Sequence, residues 1–416
     1  MGHASNVVTL RTWADARDAF RHRELRQGLY DEGRALMEHV IVNLHGSDHT
    51  ARRRLENRLF RRDTFFHYER DIIPRTVESM LSPRLAAGSA DLIPLARRVM
   101  MSLATDIAGI DRSDERADFE ILDDQMFRLA RASNVLHAVG DKQVVVDDGN
   151  AALAAFEERF FRPSMLRRQA LLEAFARHEI DDDALPRDVL LTLLNNQDRL
   201  ELSYDVVLRE VAYYPWVGSH STSNAFVRAI HHIFDWIEEH PTDRIRLVDD
   251  PFQLQRFVHE SLRLHPGSPV ARRFAMTDLT LGGGIAIRKG TLVEIDLIAA
   301  NRDPLLFGDR ADVFDPYRAI PAESAPWGLT FGTGFHACVG LEMAGGLAPT
   351  APDGAVPDPG APGEHLFGAI TVMARAVLQH GARRDPANPP LRDPHTVRPN
   401  WGSYPVLFER LQPGSV

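Results

Sequence analysis

The segment Phe331-Gly332-Thr333-Gly334-Phe335-His336-Ala337-Cys338-Val339-Gly340 decides how this chain is read. Cys338 is the one cysteine among 416 residues, which excludes an intramolecular disulfide and any multi-cysteine zinc site. Its setting is rich in glycine, and glycines let a backbone take positive φ and lie close against a flat partner. Backbone N–H groups gathered around the sulfur would favour the thiolate, the form that binds metal. A lone cysteine in a glycine-rich turn is more often a buried structural residue, so the segment needs companions before it carries a function.

Working outward, the chain has ordinary globular composition, with 44% apolar and 25% charged residues. A net charge of −10 argues against nucleic acid as a partner, because phosphate binding needs a basic surface. Arg52 to Arg54 with Arg61 and Arg62 form a local basic patch. Residues 1–10 lack the charged and apolar pattern of a signal peptide, and no apolar run approaches the roughly 18 residues of a membrane span. A cytoplasmic protein with no membrane partner is expected. The sequence does not specify an oligomeric state.

Helical periodicity dominates. Ile230, Ile233, Phe234 and Ile237 share one face of a helix over residues 226–239, which His240-Pro241 ends. Similar patterns cover residues 91–109, 150–177, 185–196 and 365–380. Strand-like alternation is confined to Val7 to Leu10, Leu279 to Ile287 and Thr291 to Ile298, with Gly282-Gly283-Gly284 as a turn. The fold class is therefore mainly α with small β-sheets (α+β). Residues 344–363 are rich in Ala, Pro and Gly and read as a solvated inserted loop.

The cysteine segment matches Phe-x-x-Gly-x-x-x-Cys-x-Gly and so resembles the cysteine pocket of the cytochrome P450 family. The companions follow in order. Glu260-Ser261-Leu262-Arg263 resembles the family's Glu-x-x-Arg pair, whose members share a helix face. Asp315-Pro316-Tyr317-Arg318 is similar to the segment whose arginine joins that pair in a structural network. The resemblance spans Val7 to about Leu411 as a single domain over 1–416. It implies the cytochrome P450 fold, with haem b between a long distal helix and the cysteine loop. Cys338 would ligate the iron, with Phe331, Gly332 and Gly340 around it. A thiolate ligand pushes electron density onto haem iron and favours O–O cleavage. His49, Arg53, Arg273 and His336 would meet the haem propionates; for His49, a metal pair with His45 or plain surface is the other reading.

The chain also departs from that family. Its oxygen-activating helix aligns as Val217-Gly218-Ser219-His220-Ser221-Thr222, so His220 replaces the usual acid and Ser221 the usual threonine. Gly218 would leave room at the distal face. His220 either shuttles protons or anchors an acidic substrate, or else points to a neighbouring helix. Pro215 would kink this helix. The N-terminal end and the stretch from Leu29 to Asp48 are short, and the loop 344–363 interrupts the helix expected after the cysteine.

The resemblance implies monooxygenation of a small-to-medium organic molecule, with bacterial secondary metabolism as the setting and a ferredoxin and ferredoxin reductase as electron donors. Tyr213, Trp216, Val217, Ser268 in the 267–270 turn and Tyr404 in the 402–405 turn are candidate pocket residues, with residues 125–138 as a lid. Two alternatives are a peroxide-driven peroxygenase, motivated by the missing acid, and a non-catalytic partner protein of the same fold.

Overall fold

The computed structural model describes residues 6–113, 116–348 and 365–408. Its axis is a helix from Tyr204 to Glu239, 36 residues long and so about 54 Å at 1.5 Å per residue. Ser203 caps its start, accepting from the Val206 N–H at 3.4 Å. The periodic stretch read at 226–239 is the C-terminal third of this helix. Pro215 lies inside it without ending it, and the Pro215 carbonyl accepts the Ser219 hydroxyl at 2.6 Å.

The helix Leu92–Ala108 crosses this axis and begins on an Asp91 cap. Gly218 stands at the crossing: a Cβ there would lie 3.2 Å from the Ala104 Cβ. Part of the room that this glycine leaves is therefore taken by the neighbouring helix. Ile230, Ile233 and Phe226 are buried in one apolar cluster with Val99, Phe257 and Met373. A second cluster joins Val207 and Val211 to Met126, Phe156 and Leu190.

A four-stranded sheet runs in the order Val7–Leu10, Leu292–Asp296, Val270–Ala275, Leu25–Gln27. Val7–Leu10 pairs parallel with its neighbour, and the other two pairings are antiparallel. The register sets Gln27 opposite Arg273. The strand expected to run to Ile298 ends at Asp296, because the Asp296 carboxylate caps a helix at Leu297–Ala300 by accepting from the Ala299 N–H at 3.0 Å. The helix expected at 150–177 starts earlier, on an Asp141 cap, and passes through a wider turn at Glu157–Phe161. The helix expected at 365–380 begins at Ala369.

The helix Pro251–Leu264 carries the expected network. The Arg263 guanidinium, fully buried, donates to both Glu260 carboxylate oxygens at 2.7 Å. It also donates to the Asn301 carbonyl at 2.5 Å and the Ala311 carbonyl at 2.7 Å. Arg318 Nε reaches Glu260 at 3.3 Å, and its terminal nitrogens donate to three more carbonyls.

Removing one member of such a buried pair leaves a charge without compensation, at a cost of about 3–5 kcal/mol. Arg263→Met should lower the urea-unfolding free energy by about that much. A loss below about 1 kcal/mol, the range of surface pairs, would show that the network is not what joins these segments.

Candidate functional site

The cysteine segment hangs from the Arg263 helix. Asn301 accepts the Leu329 N–H at 2.7 Å, and the Thr330 hydroxyl donates to the Leu262 carbonyl at 2.7 Å. From there the chain turns through Gly332 and Gly334, at φ +65° and +73°. A Cβ on Gly334 would meet the Phe20 carbonyl oxygen at 2.9 Å, so both conformation and space call for glycine there. The turn closes with the Cys338 N–H donating to the Phe331 carbonyl at 2.9 Å. Phe331 packs edge-on against Trp327 and lies under Gly345.

Cys338 keeps accessible surface, yet the surrounding protein still raises its thiol pKa through burial. The Gly340 N–H and the nearby Arg53 charge work in the opposite direction, toward the thiolate. The helix that follows the sulfur spans only Leu341–Gly345. Most of the loop 344–363 lies outside the described residues.

Four predicted residues converge beside the sulfur. Arg53 donates to the Ala337 carbonyl at 2.5 Å. The His49 and His336 rings lie 4.1 Å apart. Burial holds the His49 imidazole down to about 4, with Arg53 and His45 adding to the shift. It holds His336 down to about 2, with His49, Arg273, His45 and Arg53 adding. Arg273 is buried, and among the described residues it donates only to neutral oxygens, Gln27 Oε1 at 2.7 Å and the Arg272 carbonyl at 2.9 Å. Burial brings even this guanidinium down to about 10. A buried cation without a carboxylate is costly, so the arrangement suits an anionic ligand. Among the described residues no cluster of three or more metal-ligating side chains occurs, which leaves His45 and His49 without the partners of a metal site.

The long helix supplies the opposite wall. Tyr213 and Trp216 pack edge to face at 5.4 Å, and Tyr30 meets Trp216 at 6.3 Å. Burial raises the Tyr30 and Tyr213 phenols, and the Cys338 charge raises both further, which puts the two rings within electrostatic reach of the sulfur. Ser221 is exposed, its hydroxyl donating back to the Val217 carbonyl at 2.9 Å. The Ser268 hydroxyl is engaged by the Val270 carbonyl at 2.8 Å. Tyr404 does not line the pocket: it is fully buried in the apolar core and hydrogen-bonds to His231 Nδ1 at 2.9 Å.

His220 packs against Phe127, with ring centroids 6.1 Å apart, and its Nδ1 faces the Trp216 carbonyl at 3.1 Å. Its Nε2 is buried with no hydrogen-bond partner among the described residues. Burial, helped by the Arg97 charge, holds this imidazole down to about 3, so it is neutral at neutral pH.

The basic patch read at Arg52 to Arg54 is not a surface feature as a whole. Arg52 is buried and pairs with Glu210 at 2.7 Å. Glu56 lies beside that pair and accepts from the Tyr214 hydroxyl. Burial pushes Glu56 up to about 7 and Glu210 well above the ordinary carboxylate range. No sequence signal marks this pair, because isolated glutamates on helices read as solvent-facing.

The cytochrome P450 family model matches residues 251–345. Pulcherriminic acid synthase of Bacillus subtilis (strain 168) is 26% identical over 73% of this chain and 70% of its own length. Vitamin D(3) 25-hydroxylase of Pseudonocardia autotrophica is 27% identical over 81% and 77%. The crystal structure of CalO2 superposes with a TM-score of 0.72 at 20% identity, covering 97% of this chain and 91% of that one.

Unfolded histidines protonate near pH ~6.5, whereas the fold keeps the His220 ring neutral to about 3. Stability is therefore full above the unfolded value and falls as pH drops toward the folded one. His220→Gln should make the fall between pH ~6 and ~4 shallower by about one proton. An unchanged slope would mean that the folded ring takes up a proton in that window.

Proposed function

The chain belongs to the cytochrome P450 family, and we propose that it is a haem-thiolate monooxygenase acting on a small-to-medium organic molecule in bacterial secondary metabolism. The family implies a haem-iron cofactor; we assign it as haem b, with Cys338 as the iron ligand and a ferredoxin with its reductase as the electron source. Among the described residues no helix is long and apolar enough to cross a membrane, and we place the protein in the cytoplasm.

The observation that carries this reading is the unpaired Arg273 guanidinium, buried in one cluster with His336, His49 and Arg53 beside Cys338. Haem carries two carboxylates, and these four side chains would receive them with charge-assisted hydrogen bonds. When bound, the thiolate-ligated haem supplies dioxygen activation and substrate oxidation.

The protein's own part is to hold the sulfur, orient the substrate and move protons. The Gly340 N–H and Arg53 stabilise negative charge at Cys338 Sγ. Tyr30, Tyr213 and Trp216 provide an aromatic wall that orients an organic substrate and excludes water. Ser221 presents an exposed hydroxyl on the long helix and would hold a proton at Oγ for delivery to the oxygen side. With Nδ1 facing a carbonyl, the neutral His220 carries its proton there and keeps a buried lone pair at Nε2.

The purified protein, reduced under carbon monoxide, should show the absorption band that gives the family its name. Cys338→Ser should abolish that band, and Arg273→Gln should weaken haem retention about tenfold, the worth of one charge-assisted bond. A wild-type chain that fails to load haem, or that shows only the neutral-thiol band, would overturn the reading. For the relay, His220→Ala should change product yield or the coupling of electrons to product. If neither changes across several substrates, His220 is a packing residue.

A further inference from the structure

A second cation, half-buried and with no counter-charge among the described residues, lies within electrostatic reach of Tyr30. The turn that carries it is tied down. Val397 N–H donates to the His137 carbonyl at 2.9 Å, Val139 N–H to the His395 carbonyl at 3.0 Å, and Ala138 pairs with Thr396. Beyond it, the Asn400 N–H donates to the Arg398 carbonyl at 2.7 Å, and Arg392 and Arg228 both donate to the Pro399 carbonyl. The backbone of this turn is thus held in place, and the side chain it presents is Arg398.

Nε and one terminal nitrogen of Arg398 are fully buried and have no hydrogen-bond acceptor among the described residues. His137, joined to the same turn, has its Nε2 buried and unpartnered as well. Among the described residues no carboxylate acts on Arg398; burial lowers its guanidinium pKa, and Tyr30 works in the opposite direction. Tyr30 in turn feels Arg398 on one side and Cys338 on the other. Tyr30 is thus within electrostatic reach of both the guanidinium and the sulfur, and it packs against Trp216. Phe127 links the same turn to the long helix, its ring 5.4 Å from His395 and 6.1 Å from His220.

We propose that Arg398, with His137 beside it, is a subsite for a carboxylate on the substrate, so that the enzyme oxidises organic acids held by their acid end. The inference rests on the haem-thiolate reading for the reaction, but not for the binding preference. A guanidinium fork matches the two oxygens of a carboxylate. One cation beside a neutral imidazole balances one negative charge, whereas a phosphate monoester brings about 1.5 to 2. The cofactor's own carboxylates are assigned above to Arg273, His336, His49 and Arg53, which leaves Arg398 to another anion.

The test uses ω-(imidazol-1-yl)alkanoic acids of increasing chain length, each paired with its primary amide, and measures their dissociation constants by calorimetry on the haem-loaded protein. At the chain length that spans the site, the acid should bind about tenfold or more tightly than the amide. Arg398→Gln should erase that preference while leaving amide affinity unchanged, and Arg398→Lys should restore part of it. Equal binding of acid and amide at every length, or a preference that survives Arg398→Gln, overturns the proposal. So does an Arg398→Gln protein that loses haem instead of acid preference, since the guanidinium would then serve the cofactor. If the wild-type chain fails to load haem, the monooxygenase reading falls. The same acid and amide pairs, titrated into the haem-free protein, then decide the subsite by the same two outcomes.

Discussion

Everything near the sulfur depends on the fully buried Arg263 guanidinium. It grips Glu260 one helical turn back, and it also holds the carbonyls of Asn301 and Ala311. Asn301 passes that order forward, because its side chain accepts the Leu329 N–H and donates to Thr330. Thr330 closes the circuit on the Leu262 carbonyl. One buried ion pair thus joins a helix, the start of the cysteine segment and the stretch around Arg318. Such pairs add little net stability against an apolar replacement, but they penalise any arrangement that leaves a partner unmet. That penalty suits a segment with few apolar side chains of its own to bury.

Much of this was legible in the sequence, and the reason is geometric. Glu260 and Arg263 are three apart on a helix and so share a face, and their setting in the family resemblance, not the spacing alone, marks them as a structural pair. The glycines around Cys338 mark positive-φ positions that few other residues tolerate. The face of Ile230, Ile233 and Phe234 is buried as its period requires. Gln27 beside Arg273 was not legible, since strand register sets it across some 246 residues of sequence. Tyr404 misled for a related reason: its turn lies where a pocket wall was expected, but the ring itself enters the core beside His231. The partners of Arg52 and Glu56 on the long helix are equally remote, 158 residues away, and nothing local marks them.

The two sides of the site use burial in opposite ways. On the sulfur side, Arg273, His336 and His49 are crowded together with no carboxylate bonded to them among the described residues, which favours the arrival of negative charge. Against the long helix, Glu210 and Glu56 share Arg52, with Arg53 also acting on Glu56, and burial favours keeping a proton on one of the two acids. The His220 ring sits apart from both, kept neutral by its apolar packing against Phe127. These differences come from desolvation more than from pairwise contacts, and they depend on how helices close over one another.

The helix after the cysteine ends at Gly345, and the residues that follow it meet the stretch that begins at His365. The Leu347 N–H donates to the Leu366 carbonyl at 2.8 Å, and the Gln255 side chain spans the Gly345, Leu366 and Phe367 carbonyls. Glu69 accepts the Phe367 and Gly368 N–H groups, and a Cβ on Gly368 would fall 2.4 Å from the Gly346 nitrogen. The frame around the sulfur is therefore clamped on both sides of the excursion by residues outside it. Gly345 and Gly368 therefore keep their places through Gln255 and Glu69, and the sulfur's frame does not rely on the stretch of chain that joins them.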